Sequence, residues 1–385
     1  MHRRSLLQLI GGIAVTGVPS FASQGERRDR IVIAGAGIIG ANIAYQLAKR
    51  GASVTVLERN KPANGATANS FAWINAQKQP FNYFTLSQLA LGAWHDLHGE
   101  IGPELPVRWG GTVEWSRDRN RAFRDAEVLK RFQAWGYPTY AIDEKRLRAL
   151  EPNIVPGPVA AAAYTESEGN ADPVGVTDIV LARAENAGAR VKYPVEITGV
   201  DTRDGRLRSV RTSDGDLEAD ALVIACGVDT PRVAAMADIS VRLTRSPGIL
   251  VHTAPQPHVL NHIVLSPIGN IKQKMNGRIV TGLDFGPARE EDTSREYGER
   301  FLHRMSAVLP ELKDASFDTV TLGFRPMPVD GHPIIGFPVG RRDAYVTVMH
   351  SGVTLAPLVG RLAAMEILDG VRVELLEPFR LERFK

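Results

Sequence analysis

The run Ile31-Val32-Ile33-Ala34-Gly35-Ala36-Gly37-Ile38-Ile39-Gly40 decides the fold of this 385-residue chain. An apolar strand turns through three glycines into a helix, a pattern typical of a dinucleotide-binding βαβ unit. Gly35 allows a sharp turn, Gly37 lets backbone N–H groups approach a pyrophosphate, and Gly40 lets the helix pack closely on the strand. Because the helix N-terminus then faces the phosphate charge, we predict a dinucleotide site at this turn.

A second predicted strand, residues 53–57, ends in an acidic residue. Glu58 lies 18 residues past Gly40, close to the spacing of about 20 at which a carboxylate accepts hydrogen bonds from a ribose 2′-hydroxyl. A ribose 2′-phosphate is therefore disfavoured. The intervening helix has one apolar face, formed by Ile39, Ile43, Ala44 and Leu47.

Length and composition indicate two domains, or one large interleaved domain, with a sizeable core, since 44% of residues are hydrophobic. The formal charge is only +3, so nucleic acid is not an expected partner. Cys226 is the only cysteine, which excludes an intrachain disulfide and a multi-cysteine metal site. The pairs His95/His98 and His258/His262 lack an acidic pattern that would complete a ligand set, so no metal site is predicted.

Residues 1–22 have the features of a twin-arginine signal peptide. Arg3 and Arg4 precede a short apolar run, and small residues at 20 and 22 suit a signal peptidase. The run is too short to span a bilayer stably. We therefore predict export of the folded protein to the periplasm or beyond, with cleavage near Ala22. An uncleaved anchor or a chance basic start remains open.

The rest of the chain alternates between nucleotide-type and other segments. After Glu58 a small-residue loop over 64–75 replaces the alternation usual in nicotinamide dehydrogenases, and a helix follows over about 86–97. A helix from Asp172 to about Gly188 leads into strand-like runs, and a closing helix is predicted from about Thr354 because Pro357 is tolerated only in a first turn. The predicted strand-like runs are 191–200, 206–212 and 217–225.

These segments predict an interleaved two-domain organisation. Residues 28–85, 160–238 and 323–385 are assigned to a nucleotide-binding domain, and 86–159 and 239–322 to a substrate domain.

At these residues the chain resembles the FAD-dependent oxidoreductases related to D-amino acid oxidase, glycine oxidase and sarcosine oxidase. The resemblance rests on the glycine turn with Glu58, the small-residue loop, the strand end 225–227, the pair Arg325-Pro326 and the closing helix. It implies an α/β fold (α+β overall): a Rossmann-type FAD-binding domain with a parallel sheet and a small β-meander, interleaved with a mixed-sheet substrate domain.

The same resemblance implies an activity and a cofactor. The expected reaction oxidises the C–N bond of an amino acid or related amine by hydride transfer to flavin N5, with O2, a quinone or another carrier as electron acceptor. In that family the loop matching 66–73 wraps the flavin, the backbone matching Val195 contacts adenine, and the backbone matching 352–355 faces the flavin pyrimidine ring. The implied FAD-binding residues are Gly35, Gly37, Ile38, Ile39, Gly40, Glu58, Arg59, Ala66, Thr67, Ser70, Ala72, Val195, Cys226, Gly227, Gly352, Val353, Thr354 and Leu355.

Two residues are the candidate catalytic positions. In amino-acid-oxidising relatives the arginine matching Arg325 holds the substrate carboxylate, although an Arg-Pro pair also occurs where it only braces the chain. His350 adjoins the turn expected to face the flavin and either lines the pocket or makes a structural hydrogen bond. Trp73 and Phe324 either cover the substrate or pack in the core.

Two departures from the family pattern bear on the cofactor and the pocket. Gly323 stands near where sarcosine oxidase relatives carry a flavin-linking cysteine, so noncovalent FAD is predicted. Several relatives have a glycine-rich or arginine-containing turn where this chain has His350-Ser351-Gly352, so a different substrate pocket is predicted. A non-catalytic flavoprotein and a nicotinamide-dependent dehydrogenase remain alternative functions.

Overall fold

The computed structural model describes residues 30–203, 206–283 and 292–384; the predicted signal peptide lies outside these residues. The first ten strands are β1 Arg30–Ala34, β2 Ser53–Leu57, β3 Trp73–Ile74, β4 Val107–Trp109, β5 Thr112–Ser116, β6 Thr139–Ile142, β7 Ala161–Thr165, β8 Gly169–Ala171, β9 Arg190–Lys192 and β10 Ile197–Arg203. The next ten are β11 Arg206–Thr212, β12 Gly215–Glu218, β13 Ala221–Ile224, β14 Leu243–Pro255, β15 Ile263–Ser266, β16 Gly269–Gln273, β17 Arg278–Gly282, β18 Phe317–Pro328, β19 Ile334–Gly336 and β20 Ala344–Val348.

Helices connect these strands. The α-helices are α1 Ile38–Lys49, α2 Phe81–Ile101, α3 Arg119–Ala134, α4 Glu144–Leu150, α5 Pro173–Asn186, α6 Thr230–Ala235, α7 Arg295–Met305 and α8 Gly352–Leu368. Short 3-10 helices span Gly227–Asp229, Pro310–Lys313, Glu374–Phe379 and Leu381–Phe384.

The glycine turn lies in a six-stranded sheet with the order β19-β20-β13-β1-β2-β9. Strands β2, β1, β13 and β20 run parallel, as does β9, whereas β19 is antiparallel to its neighbour. Parallel strands buried on both faces require continuous apolar sequence, and β1 and β13 supply it. The predicted dinucleotide-binding sheet is therefore confirmed.

The first and third glycines of the turn have clear steric reasons. Gly35 adopts φ +103°, and a Cβ there would approach the Ala225 carbonyl oxygen to 2.5 Å. A Cβ on Gly40 would collide with the Gly35 carbonyl, because α1 packs directly against the end of β1. A side chain at Gly40 would push the helix away from the strand, and one at Gly35 would meet the backbone that follows β13.

One face of the six-stranded sheet is covered by α-helices and the other by a small sheet. Side chains of α1, α2, α5 and α8 form one core with alternate residues of β1 and β13. On the opposite face, the antiparallel meander β10-β11-β12 and α6 enclose a second core. The predicted meander is thus confirmed, although the strand-like run 191–200 divides into β9 and β10.

The larger sheet has eight strands in the order β18-β14-β17-β16-β15-β5-β7-β6. It is mixed, since β15 runs parallel to β5 while the other pairs are antiparallel. Helices α4 and α7 cover its own core. A three-stranded sheet, β3-β8-β4, joins the loop after Glu58 to this half of the molecule.

The chain crosses between the two halves at other points than the sequence suggested. Strand β7, placed by sequence in the nucleotide-binding domain, pairs with β5 and β6 in the eight-stranded sheet. Strand β18 pairs with β14 until Pro328, five residues beyond the expected boundary at 323. Helix α2, assigned to the substrate domain, packs on α8 in the first core. Pairing between distant strands and helices, rather than local pattern, sets these crossings.

Candidate functional site

A cavity of about 760 Å³ opens where the glycine turn, the carboxyl end of the parallel sheet and the N-terminus of α8 meet. We call it the glycine-turn cavity. Ligands of open α/β sheets bind at this end of the strands. Twelve of the predicted cofactor residues line it, namely Gly35, Gly37, Ile38, Ile39, Glu58, Ala66, Thr67, Ser70, Cys226, Gly227, Gly352 and Val353.

The Glu58 carboxylate is held in place by backbone amides. The Ala36 amide donates to one carboxylate oxygen at 3.2 Å, and the Asn60 amide donates to the other at 2.9 Å. These bonds link the glycine turn to the end of β2. The carboxylate is thereby oriented toward the cavity that it lines.

The loop after Glu58 closes over the start of α1. Thr67 Oγ1 accepts a hydrogen bond from the Ile38 amide at 3.1 Å, so this threonine caps a helix whose N-cap residue, Gly37, has no side chain. A Cβ on Gly37 would lie 3.2 Å from the same hydroxyl oxygen. Any side chain there would fill the narrow space between loop and helix. Ser70 completes the turn by donating to the Thr67 carbonyl at 3.0 Å.

Six predicted cofactor residues do not line the glycine-turn cavity, and four of them do not line the cavity next to it either. Gly40 lies beneath the turn, against Gly35. Arg59 forms a 2.6 Å ion pair with Asp229 at the surface. The Val195 amide donates to the Glu58 carbonyl at 2.8 Å, and the amide of the buried Leu355 donates to the Ser351 carbonyl at 3.0 Å. The remaining two, Ala72 and Thr354, line the neighbouring cavity.

The neighbouring cavity, which we call the Arg325 cavity, lies between the glycine-turn cavity and the eight-stranded sheet. Its volume is about 1020 Å³, and Arg325, His350 and the aromatic residues Trp73 and Phe324 line it. The two cavities have wall residues in common, namely Ala66, Ser70, Pro326, His350 and Val353. A ligand in one cavity is therefore adjacent to a ligand in the other.

The Arg325 guanidinium is oriented by the strand next to its own. Its Nη1 donates to the Pro247 carbonyl at 2.5 Å. A Cβ on Gly248 would lie 2.8 Å from Nη2, so the absence of a side chain there makes room for the guanidinium. The close pairing of β14 with β18 thus positions Arg325 in the cavity wall.

His350 is partly buried at the junction of the two cavities. Burial lowers the pKa of its imidazole to about 3, and the positive charges of Lys78 and Arg325 act in the same direction. The ring is therefore neutral over the range in which most enzymes work. It can accept or donate a hydrogen bond but adds no charge to the site.

Two residues of this region, Lys78 and Glu168, were not found from the sequence. Lys78 lines the Arg325 cavity, and its Nζ donates to Asn75 Oδ1 at 3.0 Å. Glu168 is completely buried and accepts hydrogen bonds from the Trp73 indole at 2.8 Å and from the Tyr137 hydroxyl at 2.6 Å. No local motif marks these residues, and Glu168 stands 95 positions from Trp73 in the chain. Only the pairing of β3 with β8 brings Glu168 next to Trp73.

Burial raises the pKa of Glu168, while four hydrogen-bond donors act in the opposite direction. The donors are Thr112, Tyr137, Gln77 and Trp73. Buried polar groups are stable only when their hydrogen bonds are made. The Trp73 side chain is therefore fixed by a specific polar contact with Glu168, and Trp73 lines the Arg325 cavity.

The histidine pairs considered in the sequence make other contacts. His95 stacks on Trp109 with ring centroids 4.0 Å apart, and His262 Nδ1 lies 2.8 Å from a Glu151 carboxylate oxygen. Among residues 30–203, 206–283 and 292–384, no three metal-binding side chains converge. Along the same described stretches, no helix has the length and apolar character needed to cross a bilayer.

The glycine-turn cavity fits a dinucleotide cofactor on structural grounds. The glycine turn, the N-terminus of α1 and an oriented carboxylate at the end of β2 surround one region of it. The first turn of α8 enters the same cavity, and the first N–H groups of a helix have no partner within that helix. The cavity therefore offers places for a ribose, a pyrophosphate and a ring that carries hydrogen-bond acceptors.

Comparison with known proteins agrees with this geometry. Glycine oxidase of Geobacillus kaustophilus is 26% identical over 365 residues, covering 92% of this chain and 96% of the relative. D-amino acid dehydrogenase of Rhizobium johnstonii is 24% identical, covering 80% and 88%. The crystal structure of L-proline dehydrogenase from P. horikoshii superposes with a TM-score of 0.83 at 24% identity, covering 93% and 99%.

The match to a protein family covers most of the chain and both of its halves. Residues 30–365 match the family described as FAD dependent oxidoreductase, called DAO, whose cofactor is FAD. The glycine turn, both cavities and Arg325 lie within the matched region. The chain therefore belongs to the DAO family of FAD-dependent oxidoreductases, as an enzyme of the amino acid oxidase and dehydrogenase type.

Proposed function

We propose that this enzyme oxidises the C–N bond of an amine that carries a carboxylate, using noncovalently bound FAD. The observation that carries the proposal is the position of Arg325. Its guanidinium lines a cavity that shares a wall with the dinucleotide-type cavity. A planar guanidinium can donate two parallel hydrogen bonds to a carboxylate, so it suits an amino acid better than a simple amine.

The residues of the glycine-turn cavity have distinct roles in holding FAD. Glu58 would accept hydrogen bonds from the ribose, and the N-terminus of α1 would face the pyrophosphate. Gly352 and Val353, in the first turn of α8, would direct backbone N–H groups toward the flavin ring, where the positive end of the helix dipole favours negative charge. When bound, FAD would supply the acceptor for the hydride that leaves the carbon bearing the amine.

The walls of the Arg325 cavity position the substrate rather than react with it. Arg325 would fix the carboxylate, and Trp73 and Phe324 would exclude water from the neighbouring space. Neutral His350 would accept or donate one hydrogen bond. Correct placement of the amine carbon next to the glycine-turn cavity is then the main contribution of the protein.

Two observations support a noncovalent cofactor. A side chain at Gly323 would meet Asn69, since a Cβ there would lie 2.5 Å from Asn69 Cβ. Burial raises the pKa of the Cys226 thiol to about 12, and its Sγ donates to the Ala34 carbonyl at 3.3 Å. A protonated, hydrogen-bonded thiol is a poor nucleophile. We therefore expect acid precipitation to release the flavin into the supernatant, and colour retained by the denatured pellet would contradict this part of the proposal.

The relatives act on different substrates according to their names: glycine, D-amino acids and L-proline. We therefore propose the class, a carboxylate-bearing amine, with O2, a quinone or another carrier as the acceptor. The test is anaerobic reduction of the bound flavin by a panel of D- and L-amino acids, N-methyl amino acids and amines. At least one carboxylated amine should bleach the oxidised flavin within seconds to minutes. Failure of every compound would instead support a non-catalytic flavoprotein.

A further inference from the structure

Among the described residues, Trp73 is the only tryptophan that lies outside the hydrophobic cores. The other four, Trp94, Trp109, Trp115 and Trp135, pack in or against the first core or the core of the eight-stranded sheet. Trp73 belongs to none of the three cores, and it lines the Arg325 cavity instead. Because this large side chain is not held in a core, its orientation in the cavity wall depends on other contacts.

Two buried oxygen atoms accept the indole N–H of Trp73. Its Nε1 lies 2.8 Å from Glu168 Oε2 and 3.1 Å from Thr112 Oγ1. Both Glu168 and Thr112 are buried, and a buried hydrogen-bonding group is costly to leave without a partner. These bonds therefore keep the indole in one orientation.

The same carboxylate also holds the chain that follows Trp73. Glu168 Oε1 accepts from the Gln77 side-chain amide at 3.1 Å and from the Tyr137 hydroxyl at 2.6 Å. The Tyr137 oxygen in turn accepts from the Ala76 amide at 3.0 Å. The carboxylate is thus tied, directly or through Tyr137, to three residues of the stretch that contributes Trp73 to the wall.

A carboxylate is the side-chain group that suits this position. An ionised carboxylate only accepts hydrogen bonds, and an indole N–H only donates them. Glutamine has the same shape as glutamate, but it would present an NH2 group to one of the present donors. It could not keep every bond as it is, so Glu168→Gln should loosen the wall without changing its volume.

We propose that Glu168 is a positioning residue which, by fixing Trp73, sets the size of the substrate that the Arg325 cavity accepts. This inference rests on the proposed function, because it concerns the substrate of the same cavity. A pocket wall distinguishes substrates that differ by one methylene by about tenfold or more, but only while the wall holds its position. Glu168 is not among the described residues that line the cavity, so it acts through Trp73.

The test compares two substrates of the FAD-loaded enzyme. One is the amino acid that best reduces the flavin, and the other is its homologue with one more methylene. Glu168→Gln should lower the ratio of their kcat/KM values by about fivefold or more, because the larger homologue is no longer excluded as strongly. In a Trp73→Phe background, which lacks the indole N–H, the same substitution should no longer change the ratio.

Glu151→Gln is the matched control. Glu151 is also a completely buried carboxylate and lies 2.8 Å from His262 Nδ1, but it lines neither cavity. It should leave the ratio unchanged even if it lowers stability. If Glu168→Gln does not fold, Glu168→Asp decides the question, because it keeps the carboxylate but is one methylene shorter. It should lower the ratio in the same direction.

Two results would overturn the inference. One is an unchanged ratio in the Glu168 variant, and the other is an equal change of the ratio with and without the Trp73 indole. Either result, in an enzyme whose flavin is still reduced by amino acids, would reject this inference and leave the proposed function intact. Flavin reduction by no amine would reject both.

Discussion

At the scale of single residues, the site depends on side chains whose charge is set by burial. His350 is the clearest case, because burial, Lys78 and Arg325 together lower the pKa of its imidazole to about 3. In the unfolded chain the same group titrates near 6.5. Between these two values the unfolded chain binds more protons than the folded protein, so this histidine makes stability fall as the pH falls from about 6.5 toward 3.

The first prediction follows from that difference. When the pH falls from about 8 to about 5, the free energy of unfolding should decrease less in His350→Gln than in the wild type. The difference should be about 1 to 2 kcal/mol. Thermal unfolding of FAD-free protein at both pH values measures this difference.

His252→Gln is the control. Burial lowers the pKa of His252 to about 4, but His252 bonds to Thr321 on β18 and lines neither cavity. It should change the pH dependence of stability similarly and leave KM unaltered. An unchanged pH dependence in His350→Gln would show that folding does not lower the pKa of this imidazole.

The second prediction concerns Glu58. Loss of its charge in Glu58→Gln should weaken FAD binding by about 1 to 3 kcal/mol, because charge-assisted bonds to the ribose are lost. Titration of the FAD-free protein with FAD gives the dissociation constant. Asp229→Asn removes a nearby acid that pairs with Arg59 instead, and it should have little effect. Equal effects of both substitutions would assign the change to general electrostatics rather than to the ribose.

At the scale of elements, the start of α8 shows where sequence reasoning was incomplete. Pro357 suggested a helix beginning near Thr354, but the helix begins at Gly352. Proline at this position cannot donate to the Val353 carbonyl four residues earlier. The Trp94 indole N–H supplies the missing donor, at 3.1 Å from the Val353 oxygen and 3.0 Å from that of Thr354. The donor that replaces the proline N–H in this early part of the helix comes from a residue of α2, far away in the sequence.

The third prediction tests whether the Trp94 indole N–H replaces the N–H that Pro357 lacks. Trp94→Phe should destabilise the protein by about 1 to 3 kcal/mol, because a buried carbonyl loses its partner. It should also weaken FAD binding, since the first turn of α8 enters the glycine-turn cavity. Thermal unfolding and FAD titration measure the two effects. Trp115→Phe removes a comparable buried bond, to the Pro156 carbonyl in the eight-stranded half. It should reduce stability while FAD affinity stays the same; a loss of affinity in both variants would point to general destabilisation.

At the scale of the whole molecule, the site lies between two halves that the chain visits alternately. The glycine turn, the meander and the closing helix could be predicted because each has a local signature in the sequence. The neighbours Lys78 and Glu168 could not, since their roles arise from contacts between segments with no shared pattern. The same reason explains the boundaries: β7 has no local feature that distinguishes a strand of one sheet from a strand of the other.

The fourth prediction concerns the segment before residue 30. We propose that residues 1–22 direct export of the folded, FAD-loaded protein by the twin-arginine route. Replacing Arg3 and Arg4 by lysine keeps the charge but removes the pair that the export receptor reads. FAD-loaded protein should then accumulate in the cytoplasm, as measured by fractionation of the producing cells. Export of the double-lysine variant at the normal level would contradict the proposed route.

The most direct test of the central claim is the effect of Arg325→Met on two matched substrates. One is the amino acid that best reduces the flavin, and the other is the same amine without its carboxylate. If Arg325 holds the carboxylate, the fall in kcat/KM for the amino acid should correspond to a loss of about 2 to 5 kcal/mol of transition-state stabilisation. Arg325→Lys should recover part of this loss, and kcat/KM for the amine should be almost unaffected. Equal losses for both substrates at unchanged FAD content would show that Arg325 does not bind the carboxylate.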